Sequence, residues 1–339
     1  LDALFPPKPM LLAEALDQLH GKKNLLAFSA GIDSTALYHL LKQEDIPFDI
    51  ALVNYKTRPQ SDAEAHYAQT LAKEDGKNAY ILTHPLTGSD FEQQARRVRY
   101  TFFQKIIKQH NYENLITAHQ LNDLLEWGLM QLCKGCGVVE FVGMQPIEVR
   151  QHYTLVRPLL FTPKEKLLDY LKANKVDYFV DESNSDERYT RNRFRKEAAE
   201  FLMRENSAGI ARSFRYMLED KRELLPPPTI LFQHEALIAI QRPPSNQQAI
   251  RLINRLLKER GYILSKAQQD EILEKASVVV GGQWVVELRS EDIWIAPYRQ
   301  CAMPKSFKEK CRVLKIPKKV RPYLFETAGL ECLLSSSSS

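Results

Sequence analysis

No apolar run in this chain approaches the length needed to cross a membrane. The first residues, Leu1-Asp2-Ala3-Leu4-Phe5-Pro6-Pro7, lack the charged and apolar regions of a secretory signal, so the expected setting is cytoplasmic. Cysteine is scarce: five in 339 residues do not make a disulfide framework, although Cys133 and Cys136 form a C-x-x-C. There is no internal repeat. No Gly-Lys-Ser/Thr follows the one small-residue loop after a strand, and that loop has no dinucleotide fingerprint. What remains, 44% hydrophobic and 26% charged residues, is the composition of a globular protein long enough for two domains with cores.

The chain is organised around that loop, Ser29-Ala30-Gly31-Ile32-Asp33-Ser34. It follows a buried-strand run, Leu25–Phe28, and precedes a helix-compatible stretch from Thr35 to Gln43. Strand, small-residue turn and helix N-terminus present backbone N–H groups to an anion. Ser29 and Ser34 add hydroxyl donors, and Asp33 is a carboxylate suited to Mg²⁺ between phosphates. The plain alternative is a Ser/Gly/Asp turn with no ligand. Ala30 stands where a glycine would be at ease, and would be strained if its φ is positive.

Strand-like runs at Leu25–Phe28, Phe48–Asn54, Ala79–Thr83 and Leu115–Ala118 alternate with helical patterns at Ser61–Glu74, Phe91–Gln109 and Leu121–Leu132. Such alternation predicts a parallel sheet flanked by helices, with ligands beyond the carboxyl ends of the strands. Helical patterns continue to about Met217, and Pro226-Pro227-Pro228 breaks the chain. Beyond it, two helices (Gln247–Gly261, Lys266–Lys275) and a strand pair (Gln283–Leu288, Ile293–Ala296) predict a smaller α/β unit. The expected division is a catalytic domain over 1–200, a helical linker over 201–228, a small domain over 229–300 and a basic tail over 301–339. The tail carries eight Lys/Arg against three Glu, a surplus equal to the formal charge of +5 for the whole chain. Clustered positive charge suits a polyanion such as nucleic acid, or is simply solvated.

Three further constellations carry chemistry. On a helix, His119, Asp123 and Glu126 share one face opposite a Leu121/Leu124/Leu125 stripe, and two carboxylates with an imidazole could hold an amine or Mg²⁺. A solvated polar face is the ordinary alternative. Arg96, Arg97 and Arg99 could clamp phosphates. Asp181-Glu182-Ser183-Asn184 is turn chemistry, and Arg191-Asn192-Arg193-Phe194-Arg195 is of the kind that contacts RNA or phosphate.

The set and its order resemble the bacterial tRNA(Ile)-lysidine synthetases. The loop is similar to the PP-loop Ser-Gly-Gly-x-Asp-Ser of enzymes that split ATP into AMP and pyrophosphate, apart from Ala30. Asn54–Arg58 resembles Asn-His-x-x-Arg with Tyr55 in the His place, and Ala95–Tyr100 resembles Ala-Arg-x-x-Arg-Tyr. Ala118–Glu126 resembles Ala-His-x-x-Asp-Asp-x-x-Glu with Asn122 for the first Asp. Arg157-Pro158-Leu159-Leu160, the 181–184 turn and the 191–195 segment complete the likeness, which covers most of residues 10–300.

The resemblance implies a PP-loop fold and an ATP-dependent ligase that modifies the wobble cytidine of an isoleucine tRNA with a CAU anticodon. ATP adenylates the base, and the L-lysine ε-amine then displaces AMP. It implies nucleotide contacts from Ser29, Ala30, Gly31, Ile32, Asp33, Ser34, Asn54 and Arg58, with Asp33 holding Mg²⁺. It implies that Asp123 and Glu126 bind lysine, that Arg99 and Arg191 stabilise the α-phosphate or adenylated base, and that His119 positions. Contacts to tRNA would come from Arg195, Lys315, Lys318 and Lys319, and a homodimer is admitted without being required. The rivals are a PP-loop tRNA thiolase, for which Cys133 and Cys136 are the feature to weigh, and a non-catalytic RNA-binding homologue.

Overall fold

The structure, a computed structural model, describes residues 11–57, 59–86, 88, 91–180 and 190–327. Arg58, the turn at 181–184 and the terminal serines 335–339 lie outside the described residues. The chain forms two compact units, Leu1–Asp220 and Lys221–Ser339.

The first unit runs α1 (Ala13–Leu19), β1 (Asn24–Ala27), α2 (Ile32–Gln43), β2 (Asp49–Asn54), α3 (Ser61–Glu74), β3 (Ala79–Thr83), α4 (Phe91–His110) and β4 (Asn114–Ile116). It continues through α5 (Leu121–Leu132), the short α6 (Val138–Phe141), β5 (Ile147–Val149), β6 (Thr154–Val156), α7 (Lys164–Ala173), α8 (Thr190–Phe194) and α9 (Glu200–Leu224). The sheet order is β3-β2-β1-β4-β6-β5, parallel except for the edge pair β5–β6. Both faces are covered at the middle of the sheet, which is why the interiors of β1, β2 and β4 are apolar. Alternate residues feed opposite cores: Leu26, Ile50, Ile116 and Val156 face α1, α2 and α7, while Leu25, Ala51, Leu115 and Leu155 face Phe103, Ile106 and Ile107 of α4.

Chain order β1, β2, β3 builds outward on one side of β1, and β4 then lands on the other. The strand order therefore reverses at β1/β4, and sheets of this kind bind ligands in a crevice beyond the carboxyl ends of the strands at such a point. The loop at Ser29 and the loop at His119 leave from these two strands.

A third cluster joins α5 (Leu121, Leu124, Leu125) to Phe214 and Leu218 of α9. Burying Phe214 contributes roughly 3 kcal/mol. Gly128 on α5 permits this: a Cβ there would lie 2.9 Å from the Phe141 ring and 3.2 Å from Phe214, two rings stacked 5.6 Å apart. The segment expected as a helical linker is helical as far as Leu224, and its Phe214 and Leu218 pack on the first unit's core.

The second unit comprises β7 (Ile230–His234), β8 (Leu237–Gln241), α10 (Asn246–Glu259), α11 (Lys266–Lys275), β9 (Ser277–Val280), β10 (Trp284–Leu288), β11 (Asp292–Pro297), α12 (Lys305–Val313) and α13 (Arg321–Thr327). Its five-stranded antiparallel sheet has the order β7-β8-β11-β10-β9. The basic segment expected as a tail is instead α12 and α13: Phe307, Cys311, Ile316, Val320, Tyr323 and Leu324 pack on Phe232, Val285 and Trp294. Spaced apolar residues between the lysines are what a packed helix needs and a solvated tail does not.

Candidate active site

The loop after β1 folds on its own hydroxyls. Ser34 Oγ donates to Gly31 O (3.2 Å), accepts from Ser29 N (3.2 Å) and lies 3.0 Å from Ser29 Oγ. Gly31 is the N-cap of α2, so the following N–H groups face the crevice end of the helix. Its φ of −77° is ordinary, and a Cβ there would meet only Ser29 Oγ at 3.5 Å. The strained residue is Ala30, fully buried with φ 59°. Its carbonyl accepts from Phe179 N (2.9 Å), which helps hold the left-handed turn. Asp33 follows in the first turn. Burial, and next the charge of Asp123, push its carboxyl up to about 6 against the pull of Lys164 and Arg195. Its Oδ1 is buried without a hydrogen-bond partner among the described residues.

The loop after β4 ends in a cap. Gln120 Oε1 accepts from Asn122 N (2.6 Å), and Asp123 Oδ2 accepts from Gln120 N (3.0 Å), a reciprocal closure of the start of α5. Because α5 starts at Leu121, His119 lies before the helix and not on the face of Asp123 and Glu126. The half-buried His119 ring has Nδ1 2.9 Å from Thr117 Oγ1. Burial, reinforced by Arg157, Arg191, Arg96 and Arg99, holds it down at about 3, so it is neutral at physiological pH. Asn122 Oδ1 accepts from Lys164 N (3.1 Å) and so ties α7 to α5.

Glu126 is not on a solvated face. It is 1% exposed, and its carboxylate accepts from Arg191 Nε (2.7 Å), Arg195 Nε (2.6 Å) and Arg195 Nη2 (3.2 Å). Arg191 Nη2 also donates to Asp123 Oδ1. The two arginines are a turn apart where α8 widens into a π-helical turn, Arg195–Ala199. Arg195, expected among the tRNA contacts, is thus brought into the acidic pair.

On the β2 side, Asn54 is buried with both ends of its amide in use, Nδ2 to Asp62 Oδ1 (2.8 Å) and Oδ1 from Lys56 N (2.9 Å). It therefore shapes its own loop. Tyr55 packs edge-on to Phe91, donates to Ala95 O (2.7 Å) and accepts from Arg99 Nε (3.4 Å), which ties Arg99 to the sheet edge. Cys133 and Cys136 follow the far end of α5, roughly 15 Å along the helix from Asp123. In the second unit Lys315 and Lys318 are exposed, whereas Lys319 donates to Ser277 O (2.8 Å). Sequence reasoning missed Lys164, which acts on Asp33, and Gln120, which caps α5. Pro163 at the start of a helix was the available signal for Lys164; a Gln cap has none.

Residues 9–202 match the family described as PP-loop domain. Over 313 residues the chain is 44% identical to the tRNA(Ile)-lysidine synthase of Campylobacter jejuni, across 92% of this chain and 95% of that protein. The chain belongs to the tRNA(Ile)-lysidine synthase family. The Helicobacter pylori member is 43% identical over 313 residues (91% of each chain), and that of Wolinella succinogenes 42% over 319 (94% of this chain, 97% of the other). The loop at Ser29 lies within the matched PP-loop domain. Tyr55 and Asn122 stand as working residues of the fold, each with defined hydrogen bonds.

Proposed function

We propose that this chain ligates lysine to the wobble cytidine of an isoleucine tRNA with a CAU anticodon, using ATP, to form lysidine. The observation that carries this reading is likeness to tRNA(Ile)-lysidine synthases over nearly the whole of both chains. The geometry is consistent with it: the PP-loop and the Asp123/Glu126/Arg191/Arg195 network lie in electrostatic reach of one another at the β1/β4 crevice.

In this reading the N–H groups at the start of α2, with Ser29 and Ser34, hold the phosphates of ATP. The unpartnered, buried Oδ1 of Asp33 fits a hard cation that keeps most of its waters. Mg²⁺ bound there would neutralise charge on the departing pyrophosphate. Arg99 and Arg191 offset charge on the α-phosphate. Neutral His119 orients the base or nucleotide through hydrogen bonds and carries no proton away. The incoming lysine is drawn by Asp123, whose side chain is 16% exposed against 1% for Glu126. Exposed Lys315 and Lys318, with Lys305 and Lys308 of α12, suit phosphate contacts along the tRNA body. The same reading admits a homodimer, for which sedimentation is the check. Among the described residues no helix is long and apolar enough to cross a membrane.

The test is incorporation of labelled lysine into an isoleucine tRNA transcript with a CAU anticodon, with ATP and Mg²⁺, against an elongator methionine tRNA. Label in the isoleucine tRNA alone is expected. ATP-dependent turnover without lysine transfer would overturn the reading.

A further inference from the structure

Tryptophan is highly buried on average, yet Trp127 of α5 is 37% exposed. The exposure is built into its seat. Its indole Nε1 donates to Glu140 O at the end of α6 (3.4 Å), and its pyrrole ring fills the space that a side chain at position 143 would need. A Cβ on Gly143 would run into Nε1, Cε2 and Cδ1 of that ring, so a glycine is required beside it. The ring is therefore fixed from one side by α6 and the residues after it, while more than a third of the residue stays open to solvent.

Its place on α5 says what it can meet. Trp127 comes four residues after Asp123, so the two Cβ atoms are neighbours on one helix face, about 5–6 Å apart. Asp123 accepts from Arg191 and acts on Asp33 of the PP-loop. His119, just before the same helix, feels the charges of Arg157, Arg191, Arg96 and Arg99, of which Arg96 and Arg99 are exposed. A fixed, open indole in a field of arginines is the combination that holds single-stranded RNA: guanidiniums meet phosphates, and the aromatic face takes a base. The cationic surroundings favour such a partner over an apolar protein surface.

Resting on the reading above, we propose that Trp127 is a stacking platform for a base of the tRNA loop that carries the target cytidine. A base that is to react must part from its neighbours in the loop, and that loss of stacking is unfavourable. An aromatic ring seated beforehand by Gly143 and the Glu140 carbonyl offsets the loss without having to order a mobile side chain. Every base has a π-face, so the contact sets affinity for the loop and leaves the choice of anticodon to hydrogen-bonding groups.

The labelled-lysine assay on the wild type comes first, and its failure would remove the functional reading whatever Trp127 does. With the wild type active, Trp127→Leu and Trp127→Phe are compared for binding of the isoleucine tRNA transcript across a salt series, with calorimetry on each. Leucine removes both the ring and the Nε1 bond; phenylalanine restores a ring without the bond. Trp127→Leu is expected to weaken binding by about 10-fold or more at an unchanged salt slope and to raise the KM for tRNA but not for lysine. Trp127→Phe is expected to recover most of the affinity. Wild-type affinity in Trp127→Leu would overturn the proposal. Equal losses in both variants would overturn it too, because the hydrogen bond and not the ring would then matter. If calorimetry shows that Trp127→Leu does not fold, fluorescence decides, since the other two tryptophans, Trp284 and Trp294, lie in the second unit. Quenching by the transcript that Trp127→Phe abolishes supports stacking; quenching that Trp127→Phe leaves unchanged, or none at all, refutes it.

Discussion

Truncation of Glu126 to alanine tests the buried clamp as a structural element, apart from its role in catalysis. The substitution removes an anion that is 1% exposed and leaves two guanidiniums facing a cavity. Breaking a fully buried pair from one side costs about 3–5 kcal/mol. The arginine side chains are 35% and 22% exposed, so water recovers part of their solvation, and Arg191 keeps Asp123. That lowers the expected loss to about 2–3 kcal/mol. For a unit of this size such a loss is roughly 5–10 °C in the melting temperature. Asp123→Ala, which removes a cap and one arginine contact, should cost less, about 1 kcal/mol. Differential scanning calorimetry of both variants and the wild type reads this directly. A Glu126→Ala loss below about 1 kcal/mol, or a larger loss for Asp123→Ala, would show that the clamp contributes little and refute the reasoning.

Other predictions follow from single side chains. His119 is held down at about 3 in the folded chain against an ordinary 6.5, so the unfolded chain binds more protons between those values. Its contribution to stability is therefore full above about pH 6.5 and lost as pH falls toward 3. His119→Gln should flatten that part of the acid dependence in urea titrations; an unchanged slope would contradict the burial argument. Ala30→Gly relieves a left-handed φ of 59° but loses a buried methyl and adds chain entropy, so its melting temperature should stay within a few degrees, whereas Ala30→Val should fall by more than about 2 kcal/mol. Lys318→Gln should reduce the salt slope of tRNA binding by about 1 with stability unchanged. Lys319→Met should instead lower the stability of the second unit, because its ammonium holds the Ser277 carbonyl beside the partly buried Glu287. Filter binding across a salt series, paired with calorimetry, separates these two lysines.

Much of the first unit is legible in the amino-acid pattern. The ranges of α3, α5 and β3 agree residue for residue with the hydrophobic periodicity, and α2, α4, β1 and β2 differ only at their ends. The short strands were not legible. β5 and β6 have three residues each, too few for an alternation to stand out, and β7, β8 and β9 pass for loop between proline-rich and polar stretches. Element bounds mattered at the site: the Gln120 cap moved His119 off the helix, and a Gln cap leaves no strong mark in sequence.

The sequence by itself determined the strand–loop–helix at Ser29, the residues able to carry the chemistry and the family. Each is a matter of local order and spacing, which the chain carries without folding. Only the tertiary structure decided what those residues touch. A carboxylate on a helix face reads the same whether it meets water, an amine or an arginine. Glu126 met Arg191 from 65 positions away because the sheet and α9 bring α8 back against the first two turns of α5. Burial and charge pairing depend on that return of the chain, and no local pattern encodes them.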